Sequence, residues 1–470
     1  MTMCVNGVNS LNYCAQTQTI SPSQKASISD TKTTTSTQQQ KQIHFKATNT
    51  NTSFRTKLST KEEQNAFNVV ARELDPQDKK LLNGLLKSGI LLKNNSDDKS
   101  TVLDNLNQIA TTQRAEGLDK KVILSNVIKT LANPFTINQK LGDIPESFKA
   151  PFLQSLLENK EYDFKTMQEA DTKLKGLMSS TCPTACVEFN LASKHQAEFA
   201  RFAKDLTSPK LSTEKIVEFR NISKNLGEAV WILNAFKIPY EVIDKDRVKV
   251  TLKPDKDALI RAQMQTKHQD GLERNATDVL IQSTLMNVGS QQTYNSIIDE
   301  RKGDFAVEKT GLIEFEKTFI ETIAENKSTT SMLYQQVDDN MTVTGYECDF
   351  NTTKQQIIDT LKRDENVIIG ITYFEKDKEQ PDLNRPENAI AGGHEITIIG
   401  AKTAKNGETI FICQDSDDEI NATIEFPESW LLPRLHHAGL PEDIAARTIK
   451  ETKENWQIAL ENYNQTKRAS

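Results

Sequence analysis

The stretch Ser179-Ser180-Thr181-Cys182-Pro183-Thr184-Ala185-Cys186 sets a thiol directly before a proline. Proline fits a helix only in its first turn, because farther in it removes a hydrogen bond and collides with the preceding turn. Pro183 therefore marks a helix start, with Cys182 at or beside the N-cap. Unpaired N–H groups and the helix dipole favour a thiolate there, which is how a cysteine nucleophile is activated. Cys186 falls one turn deeper on the same face, near Phe189 and Leu191, and reads as core filler.

A base and an acid for that thiol lie farther along. Gly392-Gly393-His394 leads into the apolar run 395–400, a histidine at the start of a strand. The two glycines let another chain or a substrate approach closely. The next strand-like run, 409–414, ends at Asp415. A reversal through 401–408, with Asn406-Gly407 as its turn, lays the two runs antiparallel. His394 and Asp415, 21 residues apart, then meet at the open end of the hairpin. Asp415 would bind one imidazole nitrogen while the other faces the thiol, fixing tautomer and orientation.

Taken in order, these patches resemble the papain-like cysteine peptidases, above all the bacterial branch that includes leader-peptide-processing domains of bacteriocin transporters. Cys182-Pro183-Thr184-Ala185 is similar to that branch's Cys-Gly-Pro-Thr/Ala helix start with the glycine absent. Val367-Ile368-Ile369-Gly370-Ile371, followed by Gly393-His394 and its strand, resembles the branch's paired strands, the second opening with the catalytic histidine. Gln414-Asp415-Ser416 resembles the Asn/Asp turn that closes the triad. The resemblance implies an α+β papain-like domain: a helix carrying the nucleophile packs on an antiparallel sheet that carries the base and the acid. It also implies a Cys182–His394–Asp415 triad cleaving a peptide or isopeptide bond through a thioester. Two features depart from the family. The glutamine that supplies an oxyanion-hole donor about six residues before the nucleophile is replaced by Gly176, the nearest upstream glutamine being Gln168. In addition, 212 residues separate Cys182 from His394, more than the compact members need.

The elements that must position this triad divide the chain as follows. Residues 1–56, rich in Ser, Thr and Gln, have too few apolar side chains to offset the entropy of ordering and are expected to form a disordered tail, read as a tether or an uncleaved secretion signal. Apolar residues at three- and four-residue steps, such as Leu81, Leu82, Leu85 and Leu86, predict a helical accessory domain over 57–172. The papain-like domain is expected over 173–440, with a hairpin over 240–252 and a helical insertion around 256–335 that accounts for the long separation. A charged C-terminal helix over 441–470 closes the chain.

The 470 residues carry 58 Lys+Arg against 65 Asp+Glu, a net charge of −7, which argues against nucleic acid or an anionic membrane surface as a partner. The longest apolar runs are strand-sized and no membrane span is expected. The first residues lack a basic region followed by a long apolar one, so the expected location is cytoplasmic, or secreted without a conventional signal peptide. Six scattered cysteines do not make a disulfide framework. No cofactor or metal is expected, and the expected partner is a polypeptide substrate, with a further protein partner on the N-terminal helical region. Other readings stay open: an inactive papain-like binding module, a transglutaminase or acyltransferase using the same triad, and a zinc site built from Cys182, Cys186, His394 and Cys413.

Overall fold

The computed structural model describes residues 55–140, 179–266, 274–304, 310–417 and 422–447. The tail expected over 1–56, apart from Arg55 and Thr56, lies outside these residues. So do Gln168, Gly176, the later part of the expected accessory domain and the C-terminal helix beyond 447.

Polar side chains open the first helices. Thr60 caps α1 (Lys61–Glu73), and Asp75 caps α2 (Pro76–Lys87), whose first residue is a proline. Thr101 and Asp104 form a capping box at α3 (Val102–Thr111), and Asp119 caps α4 (Lys120–Ala132). Each such cap satisfies backbone N–H groups that have no partner within the helix and contributes about 1 kcal/mol. After the undescribed interval come α5 (Cys182–Lys194) and α6 (Gln196–Leu206). A small antiparallel sheet of β1 (Thr213–Glu218), β2 (Tyr240–Val242) and β3 (Arg247–Leu252) has the order β1-β3-β2, with α7 (Leu226–Ala235) between its first two strands in the chain. The hairpin expected over 240–252 is its β2–β3 arm.

Three helices follow: α8 (Ala258–Gln265), α9 (Ala276–Gly289) and α10 (Glu314–Glu325). The stretch expected to be an insertion thus supplies a central element, because all 14 residues of α9 are buried. One apolar core runs from Val70 in α1 through α5, α6, α9 and α10 to Ile368, so the helices on either side of residue 172 pack together.

The main sheet contains β4 (Thr329–Leu333), β7 (Val367–Phe374), β8 (Ile390–Thr403), β9 (Thr409–Gln414), β10 (Ile424–Pro427) and β11 (Leu435–Pro441). Its order is β10-β9-β8-β7-β11-β4, and all its pairings are antiparallel. The hairpin β5 (Gln335–Val337) and β6 (Val343–Tyr346) and helix α11 (Phe350–Leu361) precede β7. The apolar run in β7 is continuous because the strand is covered on both faces. Ile368 joins the helical core, whereas Val367, Ile369 and Ile371 pack with Ile396, Ile398 and Ile357 in a second core under α11. Each side chain of this kind contributes roughly 1.5–3 kcal/mol on full burial. The chain is therefore α+β, a helical layer against an antiparallel sheet, and among the described residues no helix is long and apolar enough to cross a membrane.

Candidate active site

Pro183 starts the helix as its geometry requires. Thr181 is the N-cap and Cys182 the first helical residue. The Thr181 hydroxyl does not cap its own helix; it lies 2.6 Å from the Ser179 hydroxyl and 2.8 Å from Oε1 of Gln282 in α9. Ser180 donates its backbone N–H and its hydroxyl to Asp299, at 2.7 and 2.9 Å, and the Tyr294 hydroxyl donates to the same carboxylate at 2.8 Å. The approach to Cys182 is thus anchored on two sides by residues more than ninety positions away. Cys182 itself is 2% exposed.

The histidine and the acid meet. His394 sits in β8 opposite Ile371 of β7, and Asp415 follows the last residue of β9, where Gln414 pairs with Thr397. His394 Nε2 and Asp415 Oδ1 are 2.6 Å apart. The Asp417 backbone N–H also donates to Oδ1, at 2.8 Å. Burial alone would raise the Asp415 pKa, but the His394 charge and these hydrogen bonds outweigh it and hold the carboxyl below the usual range. With Nε2 turned to the acid, Nδ1 is the ring nitrogen that a thiol would have to meet.

Helix α5 packs across β7 and β8. Cys186 lies beside Thr397, three residues beyond His394 in β8, and burial pushes its thiol well above the ordinary value. Tyr373 of β7 is the second marker of this end of the sheet. Its phenol is pushed up by burial and then by the nearby charges of Asp415, Asp417 and Cys182. Cys182 and Asp415 are therefore both within electrostatic reach of one phenol.

Gln139 is the residue that sequence reasoning missed. Its carbonyl accepts from the Ser179 N–H at 3.1 Å and from the Ser179 hydroxyl at 2.6 Å, and its own N–H donates to Ser416 O at 3.1 Å. Ser416 Oγ is 3.1 Å from Gln139 Oε1. Gln139 thus ties the segment three residues before Cys182 to the residue after Asp415, and with Oε1 engaged its amide NH₂ is the end that can donate. Its distance from Cys182 in the chain hides it from any fixed-spacing motif.

The alternative zinc set does not assemble. Cys186 belongs to the helical core and Cys413 to the core under α11, on opposite faces of the sheet. Among the described residues, the one group of His, Cys, Asp and Glu spaced to hold a metal ion is Glu314, His436 and His437.

Compared with known proteins, the chain matches no family model, no curated protein and no solved structure.

Proposed function

We propose that the chain is a papain-like thiol hydrolase that cleaves a peptide or isopeptide bond with Cys182 as nucleophile, His394 as base and Asp415 as the group that orients the base. The observation that carries this reading is the 2.6 Å contact between His394 Nε2 and Asp415 Oδ1, at the end of the sheet crossed by the cysteine-bearing helix. His394 takes the thiol proton through Nδ1, and the Cys182 sulfur attacks the carbonyl carbon. The C–N bond then breaks as His394 returns the proton to the leaving amine, giving a thioester and a free amine. Water, deprotonated by His394, attacks the thioester to release the acid and regenerate the thiol. The oxyanion takes one donor from the Cys182 backbone N–H at the head of α5 and a second from the Gln139 amide.

A fluorogenic peptide and isopeptide library turned over by the wild type, with Cys182→Ala and His394→Ala both at background, supports the reading. Equal background rates for all three proteins favour the second one: a binding module that keeps the fold without the chemistry. The near-complete burial of Cys182 and His394, 2% and 3% exposed, is the observation on that side. A transglutaminase or acyltransferase would instead show turnover that depends on an added amine.

A further inference from the structure

Behind β8, in the layer between the sheet and α10, lies a second polar cluster that the hydrolase reading does not use. Successive side chains on a strand normally point to opposite faces, yet the rings of His436 and His437 in β11 meet edge to face, with their Nδ1 atoms 3.0 Å apart. The cause is an irregularity in the β11–β7 pairing between Leu435 and His437. Glu314, the first residue of α10, brings Oε1 to 3.6 Å from His436 Nδ1. The three candidate donor atoms all lie within 4.8 Å of one another, and all three residues are buried.

We propose that Glu314, His436 and His437 bind one divalent transition-metal ion of the zinc class, through the two Nδ1 atoms and the carboxylate. Zn–N and Zn–O bonds of about 2.0–2.2 Å in a tetrahedron separate ligand atoms by about 3.3–3.5 Å. The observed 3.0 and 3.6 Å separations bracket that edge. Glu314 Oε1 is buried without a hydrogen-bond partner, the condition of a carboxylate oxygen that lacks its cation. The far nitrogen of His437 faces a carboxylate, the group that commonly backs a metal-bound histidine: Nε2 lies 3.3 Å from Glu395 Oε2, an ion-pair distance without hydrogen-bond alignment, and Lys317 Nζ lies 2.7 Å from the other oxygen of that carboxylate. The ring occupies space that only glycine leaves, since a Cβ at Gly370 would come within 2.2 Å of His437 Cε1.

The role is structural. The cavity beside the cluster, lined by Pro183, Val187, Lys317 and His437 among others, offers about 10 Å³, room for one water and not for a substrate. The ion would fasten α10 to β11 and so brace the surface on which the first turns of α5 rest.

The full chain, stripped with dipicolinate, is titrated with zinc chloride against a chromophoric chelator, and with Co²⁺ as a spectroscopic probe. The expected result is one ion per chain, a rise in Tm on reloading the unsubstituted protein, and a cobalt spectrum without a thiolate charge-transfer band. Glu314→Gln and His436→Asn, each checked for folding by circular dichroism, should weaken zinc binding more than tenfold, and Glu395→Gln on the order of 10–100-fold, with Cys182→Ala unchanged. Failure of the unsubstituted protein to take up zinc, equal affinity in wild type and Glu314→Gln, or a cobalt–thiolate band would each overturn the site. None of these results bears on hydrolysis, which Cys182→Ala tests separately.

Discussion

The imidazole of His394 and the carboxylate of Asp415 form a 2.6 Å contact across the open end of the β8–β9 hairpin. An acid in this position holds one tautomer and steadies the imidazolium that forms during acyl transfer. Asp415→Ala should therefore lower kcat by on the order of 10²–10⁴ with KM little changed. Steady-state kinetics on any substrate found by library screening checks this. A kcat within about threefold of wild type would remove Asp415 from the mechanism.

The same contact has a pH signature. The folded Asp415 pKa is depressed, so its contribution to stability is fully present above the unfolded value of about 3.9 and disappears as pH falls through the lower folded value. Wild-type stability minus that of Asp415→Asn, from urea unfolding, should be positive at pH 5–6 and shrink below about pH 4. A difference independent of pH would contradict the assignment.

Gln139 should act through its amide donor. Gln139→Glu and Gln139→Ala should each reduce kcat by on the order of 10²–10³, the typical effect of losing one oxyanion donor. Gln139→Asn, with a shorter reach, should recover little. If the variants instead raise KM alone, or lose only stability, the residue is a backbone strut between Ser179 and Ser416.

Away from the site, Glu198 of α6 lies 2.7 Å from both Arg201 Nη2 and Lys215 Nζ, and all three side chains are buried. Burial opposes ionisation of Glu198, but the Arg201 hydrogen bond and the Lys215 and Arg201 charges prevail and lower its pKa from 4.5 to about 2. The depression corresponds to stability on the order of 3 kcal/mol, present above the unfolded pKa and lost as pH falls from about 4.5 towards 2. Glu198→Gln at pH 7 leaves the cations undercompensated and should cost roughly 3–5 kcal/mol in denaturant unfolding. A loss below about 1 kcal/mol would show that Asp97, 2.9 Å from Lys215 Nζ, and Asp205, 3.2 Å from Arg201 Nη1, suffice as partners.

Local chemistry made parts of this structure readable in advance. Pro183 marks a helix start, Asn406-Gly407 marks a turn, and the apolar run at Val367 reads as a strand; α5, the β8–β9 hairpin and β7 follow. The His394–Asp415 contact followed from the hairpin alone. What local chemistry could not show was set by partners far apart in the chain. Helix α9 is buried all round, so its apolar and polar positions carry no face and it read as part of an insertion. The helices before residue 140 and those after 179 share one core because of packing that no boundary signal records. Gln139 reaches the site across an intervening segment, and Glu314 meets His436 and His437 only because a strand irregularity turns adjacent rings together.

The central claim concerns the reactivity of one thiol, and the other cysteines of the fold provide the controls. Burial pushes the Cys186 and Cys413 thiols well above the ordinary value, and that of Cys348 is raised as well. Iodoacetamide alkylation across pH 5–9, mapped by peptide mass spectrometry in wild type and His394→Gln, separates the four. Cys182 should react far faster than the others at or below pH 7, and His394→Gln should abolish that advantage. A Cys182 that labels no faster than Cys413, or whose rate is the same with and without His394, would contradict the account.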